Sequence, residues 1–154
     1  MAFHIVLVEP EIPANTGNIA RTCAATGAVL HLVHPLGFNT DDKTLKRAGL
    51  DYWHAVSIEY HDSFEQLLDK YKEQRFLYAT TKANKSYHEV QYADNDFLVF
   101  GKETAGLPPS ILESNPDHLI RIPMTDKVRS MNLSNCAAVV LFEALRQTGF
   151  PNIH

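Results

Sequence analysis

Six short apolar runs, separated by stretches long enough for helices, constrain the fold of this chain more than any other feature. Residues 3–8, 29–33, 55–58, 75–80, 97–100 and 119–122 read as strands. Several of these runs are continuously apolar rather than alternating, the pattern of strands covered on both faces. Between them lie predicted helices at 16–26 (capped by Asn15 and ended by Gly27), 41–48 (short helix or turn), 63–74 and 132–147. In 63–74, Phe64, Leu67, Leu68 and Tyr71 fall on one side. Pro108 and Pro109 open a further short helix reaching Glu113. Residues 82–96 read as a polar loop with little pattern. Strands alternating with helices predict an α/β fold, a mainly parallel sheet with helices on both faces. The length, 154 residues, suits a single domain spanning 1–154.

Hydrophobic content of 45% and charged content of 21% describe an ordinary globular protein. No apolar stretch approaches the roughly 20 residues of a membrane span. The start of the chain has no basic leader and no cleavage pattern, so a cytoplasmic protein is expected. Cys23 and Cys136 sit among apolar neighbours in predicted helices and read as free core thiols. The eight histidines are scattered, and His31-x-x-His34 lacks supporting ligands. Each histidine is therefore read as structural or surface, and no metal is expected. A net charge of −4 counts mildly against a nucleic-acid partner, but the basic residues are clustered. Lys43, Lys46 and Arg47 share one segment, Lys82 and Lys85 another, and Arg121, Lys127 and Arg129 a third.

The polar motifs follow strands. Glu9-Pro10-Glu11-Ile12-Pro13-Ala14-Asn15-Thr16-Gly17-Asn18-Ile19-Ala20-Arg21 comes after the first, and Gly101-Lys102-Glu103-Thr104-Ala105-Gly106-Leu107 after the fifth. Ile122-Pro123-Met124 and then Arg129-Ser130-Met131-Asn132-Leu133-Ser134-Asn135 come after the last. Loops at the carboxyl ends of parallel strands build ligand sites. Four hydrogen-bonding side chains in the last segment exceed what capping one helix needs, and they suggest a polar ligand at a helix N-terminus. No G-x-G-x-x-G follows the first strand, which argues against a dinucleotide-type fold.

In this order the motifs resemble the SPOUT superfamily of RNA methyltransferases, and the likeness runs from Ile5 to Gly149. It is nearest the short single-domain members that methylate the ribose 2′-hydroxyl of the tRNA wobble nucleotide, cytidine or modified uridine. The resemblance implies S-adenosylmethionine as cofactor, tRNA as partner, a homodimer, and a deep trefoil knot at the C-terminal end. Nothing in the periodicity shows threading, and connections in general are un-knotted. The cofactor is expected against Ala79, Thr80, Gly101, Ile122, Ser130, Met131 and Leu133. Catalytic expectations fall on Arg21, Asn18, Glu103, Ser130 and Asn132. Arg21, three residues after Asn18 on one helix face, suits a phosphate clamp or stabilisation of a 2′-alkoxide. A guanidinium is a poor candidate for proton abstraction. Glu103 is read as holding a cationic partner or orienting Asn18 or Arg21. RNA contacts are expected at Arg21, Lys43, Lys46, Arg47 and Arg129.

Two other readings compete: 2′-O-methylation of another tRNA or rRNA site, and a non-catalytic RNA-binding α/β module. The final helix carries apolar residues around nearly its full circumference, Val140 and Phe142 among them, which predicts burial against a second copy.

Overall fold

A computed structural model describes residues 2–154, apart from the side chains of residues 46 and 48–51. Lys46, expected at an RNA contact, therefore lies outside the described side chains. Six strands, β1 (His4–Val8), β2 (Val29–Val33), β3 (Ile58–His61), β4 (Phe76–Ala79), β5 (Phe97–Phe100) and β6 (Leu119–Ile120), form one sheet in the order β3-β2-β1-β5-β4-β6. Every pairing is parallel, so the sheet is wholly rather than mainly parallel.

Alternation along each strand divides the core in two. Ile5, Leu7, Leu30, Leu32, Leu98 and Phe100 face one side, where α1 (Pro13–Thr26) and α5 (Leu133–Gln147) pack against each other and the sheet. Val6, Val8, Val33, Phe97 and Val99 face the other, beneath α3 (Phe64–Lys70) and α4 (Pro109–Ser114). α2 (Lys43–Trp53) lies along α1. No helix among the described residues is long and apolar enough to cross a membrane.

Several expected boundaries move. α1 begins at Pro13, with Ile12 at its N-cap and no capping side chain, so Asn15 lies inside the helix and is not its cap. Proline in the first turn sets this start, since the fixed φ is already helical and no amide is lost. β3 lies at Ile58–His61 rather than 55–58; α2 extends to Trp53 and α3 ends at Lys70. The stretch read as a patternless loop is the packed crossover from β4 to β5. Ala83, Val90 and Tyr92 are buried in it, and Gln147 of α5 grips it through Tyr92 N–H to Oε1 (2.9 Å) and Nε2–H to the Val90 carbonyl (2.9 Å). At its end Asp96, only 3% exposed, accepts from Arg75 Nε at 3.1 Å.

α5 is not buried all round within one chain. Ala137, Val140, Leu141, Ala144 and Leu145 are buried against the sheet, whereas Phe142 is 45% exposed. A charge at Val140 would therefore break the core of one subunit, and only Phe142 reports on an outer contact. β6 lies at the sheet edge beside β4, yet α5, which follows it, packs beneath β5 and α1. Residues 121–132 make that passage, several of them sharing the cleft with the loops after β4 and β5.

The histidines are less scattered than the sequence suggests. Across β1, β2 and β3, His4 Nδ1 meets His31 Nε2 at 2.8 Å, and His31 Nδ1 meets His61 Nε2 at 2.9 Å. His34, the expected neighbour of His31 in the sequence, is not part of this row and lies by Tyr60 instead. Burial lowers His4 to a pKa of about 4 and His31 to about 3, so both are neutral in the folded protein.

Candidate active-site cleft

The strand order reverses direction between β1 and β5, the place where open α/β sheets bind ligands beyond their carboxyl ends. That position brings the first two polar motifs side by side, although about eighty residues separate them. They are tied in both directions. The Glu103 carboxylate accepts the backbone N–H groups of Glu11 and Ile12, each at 2.9 Å, and Asn15 Nδ2–H at 3.1 Å. In return Glu11 Oε1 accepts the Thr104 backbone N–H at 3.0 Å and its hydroxyl at 2.7 Å. These bonds hold Glu11 below the ordinary carboxylate range.

The third motif joins through Asn15. Its Oδ1 accepts Asn132 Nδ2–H at 3.1 Å. Asn132 in turn caps α5, its Oδ1 accepting the backbone N–H of Ser134 at 2.9 Å and of Asn135 at 3.3 Å. A continuous relay, Glu103–Asn15–Asn132, thus fixes the start of α1, the loop after β5 and the start of α5 relative to one another. Asn15 was missed at the sequence level because an asparagine ahead of an apolar helix reads as a cap. The expectation that Glu103 orients Asn18 or Arg21 is corrected: its oxygens are spent on Glu11, Ile12 and Asn15.

Over this relay opens a cleft of about 750 Å³. It gathers the residues expected at the cofactor, namely Ala79 and Thr80 at the end of β4, Gly101, Ile122, Ser130, Met131 and Leu133, with Asn132 among them. Glu103 and Arg129 also line it, as do Lys82 and Lys102, whose place at the cleft no local pattern announced. Gly101 is also constrained by the loop itself: a Cβ there would lie 2.1 Å from the Gly106 carbonyl carbon, so the loop's own return requires glycine. Gly101→Val would thus disrupt the loop, and it is no clean test of ligand binding.

The lining suits an adenosyl group joined to an amino acid. Among the described residues, 122–131 make no backbone–backbone hydrogen bond, which leaves N–H and C=O groups free for a polar ring edge. Ala79, Ile122 and Leu133 offer apolar cover beside them. The volume falls within the range of small-molecule sites.

Asn18 and Arg21 are not brought into this cleft. Both are exposed on α1, beyond the Ile12 and Asn15 turn that lines it, and the Arg21 guanidinium lies 4.8 Å above the Tyr52 ring of α2. Lys43 and Arg47 are exposed on α2, and none of the described α2 side chains lines the cleft.

A family model described as the SpoU rRNA methylase family matches residues 2–142. The chain belongs to the SpoU methylase family. A relative from Escherichia coli (strain K12), named tRNA (cytidine(34)-2′-O)-methyltransferase, is 51% identical, with 96% of this chain and 95% of the relative covered. A relative of the same name from Saccharophagus degradans is 52% identical, with 96% and 97% covered. A solved structure concerned with 2-OH methylation of C/U34 on tRNA superposes with a TM-score of 0.92 at 43% identity, covering 96% of this chain and 97% of the other. The AdoMet-bound rRNA methyltransferase of Sinorhizobium meliloti superposes at 0.83 with 26% identity; 94% of this chain covers 56% of that one. The fold is therefore that of the SPOUT methyltransferases.

Proposed function

We propose that this chain is an S-adenosylmethionine-dependent methyltransferase acting on the ribose 2′-hydroxyl of the tRNA wobble nucleotide, cytidine or modified uridine, as a cytoplasmic homodimer of single-domain subunits. The observation that carries the reading is the relay from Glu103 through Asn15 to Asn132, which builds one cleft from the three motifs. The names and close identity of the E. coli and S. degradans relatives support the acceptor.

When bound, S-adenosylmethionine supplies a methyl group on a sulfonium. Thr80, Gly101, Ile122, Met131 and Leu133 would hold it, with Ala79 beside them. Ser130 and Asn132 orient the acceptor: one Asn132 amide hydrogen is taken by Asn15, and the second is free to donate. The cofactor would supply the methyl carbon to the ribose oxygen and leave as the neutral thioether S-adenosylhomocysteine, with the hydroxyl proton passing to solvent water. Alignment of this kind supplies several kcal/mol of barrier reduction. Glu103 is a positioning residue, since its bonds set where Asn15 and Asn132 stand. Arg21, permanently protonated, stabilises the developing alkoxide or clamps a flanking phosphate, with Asn18 beside it. Arg129 at the rim and Lys43, Lys46 and Arg47 on α2 contact RNA backbone.

Two observations support the dimer: Arg21 is exposed outside the cleft of its own chain, and Phe142 stands exposed on α5. In this reading a second copy brings the arginine to the neighbour's cleft.

The test is methyl transfer from labelled S-adenosylmethionine to unmodified tRNA, with the product mapped by nuclease digestion and mass spectrometry. Label at nucleotide 34 is expected. Arg21→Ala should keep cofactor affinity and lose transfer by 100-fold or more. Label at another nucleotide, or on rRNA only, would replace the acceptor; full activity in Arg21→Ala would remove that residue from the mechanism.

A further inference from the structure

Away from the cleft, on the sheet face beneath α3, lies a set of side chains that methyl transfer does not use. β1 contributes His4, β2 His31, and the edge strand β3 both Glu59 and His61. In register, His31 stands opposite Glu59, and His61 is two positions further along. A ring nitrogen of His31, a ring nitrogen of His61 and a carboxylate oxygen of Glu59 all lie within 4.8 Å of one another. Packing alone does not call for these residues: at neighbouring positions on the same face the sheet places Val6, Val8, Val33 and Val99.

We propose that His31, His61 and Glu59 form a binding site for a zinc-class divalent cation. Two imidazoles and one carboxylate match zinc and its first-row neighbours, whereas magnesium and calcium prefer all-oxygen shells. The facing nitrogens, His31 Nδ1 and His61 Nε2, are 2.9 Å apart. Tetrahedral zinc bonds of about 2.0–2.1 Å need only a slight widening of that gap, to roughly 3.3 Å. With Nδ1 on the ion, His31 keeps its Nε2–H for His4 Nδ1 at 2.8 Å. Metal-ligating histidines commonly have their second nitrogen held in this way. His4 is itself fixed by stacking on Phe97, with ring centroids 4.1 Å apart.

Access is from the sheet edge. The Glu59 side chain is 31% exposed and pairs with Lys70, itself 59% exposed, at 2.7 Å. Binding exchanges that surface ion pair, worth little, for a metal bond. Tyr71 O–H donates to the other Glu59 oxygen and steadies the carboxylate. Three protein ligands leave a fourth position for water.

The experiment loads purified protein with zinc chloride, dialyses it against metal-free buffer and counts retained zinc by elemental mass spectrometry. Wild-type protein should hold one zinc per chain and melt at a higher temperature when loaded. Glu59→Gln, which preserves shape and can still accept from Lys70, should weaken binding at least tenfold. His61→Gln should abolish it, and His4→Phe should weaken it about tenfold through His31. His88→Gln, an exposed histidine elsewhere, should bind like wild type. Should His61→Gln fail to fold, folded Glu59→Gln decides alone. Absence of retained zinc, or equal retention in Glu59→Gln, would overturn the proposal and leave the row as a hydrogen-bonded imidazole chain.

Discussion

Thr104 is held by a single glutamate oxygen, and that contact has a defined response to acid. Its amide and hydroxyl both donate to Glu11 Oε1, and the nearby Lys102 adds a weaker pull in the same direction; together they lower the Glu11 pKa from the ordinary 4.5. A carboxylate with a depressed folded pKa contributes fully above its unfolded value, and the contribution is lost as pH falls through the folded one. The amide proton of Thr104, followed by NMR, should therefore titrate with a midpoint below 4.5. A midpoint at or above that value would mean the pair is absent in solution. The neighbouring Glu103 illustrates what a sequence carries at this scale. Its presence in a polar motif was legible, and so was its membership of a site. Its partners were not, because Ile12, Glu11 and Asn15 reach it only through the sheet.

Among the elements, strands and helices with continuous local signals were read correctly to within a few residues: β1, β2, β5, α4 and α5. The edge strand was misplaced because Glu59, Tyr60 and His61 form a polar run with one face at the sheet margin, and Val56, buried outside any strand, drew the assignment toward 55–58. The 80–96 crossover was unreadable for a different reason. Val90 and Tyr92 obtain their burial from α5, some fifty residues later, and no local period encodes such a debt to a distant helix. Gln147 supplies the tie, making two hydrogen bonds to backbone groups at Val90 and Tyr92. Gln147→Ala leaves both backbone groups unpaired in a half-buried setting, so it should lower unfolding free energy by about 1–3 kcal/mol. Urea denaturation with an unchanged m-value measures it. A loss below about 0.5 kcal/mol, the range of ordinary surface substitutions, would show that the crossover is held by its apolar contacts alone.

For the molecule as a whole, the separation between Arg21 and the cleft can be tested by pairing two variants. Ala79→Trp should fill the cleft floor and inactivate its own subunit, while Arg21→Ala removes the arginine. If each working site combines the cleft of one chain with the arginine of the other, co-expressed and randomly paired variants recover activity in one site of every mixed dimer. That amounts to about a quarter of wild type for a two-fold assembly. A mixture as inactive as either parent would place Arg21 at its own chain's cleft. The cleft itself has a consequence for how the chain comes to function. Its ties span 92 positions from Glu11 to Glu103 and 117 from Asn15 to Asn132. Contacts so distant along the chain close late, after most of the entropy of loop closure has been overcome. A nascent chain halted on the ribosome before Asn132 has emerged would own two walls of the cleft and lack the third. Competence to hold a cofactor is thus acquired only once Asn132 has emerged, and cofactor capture by a growing chain would report closure of the third wall.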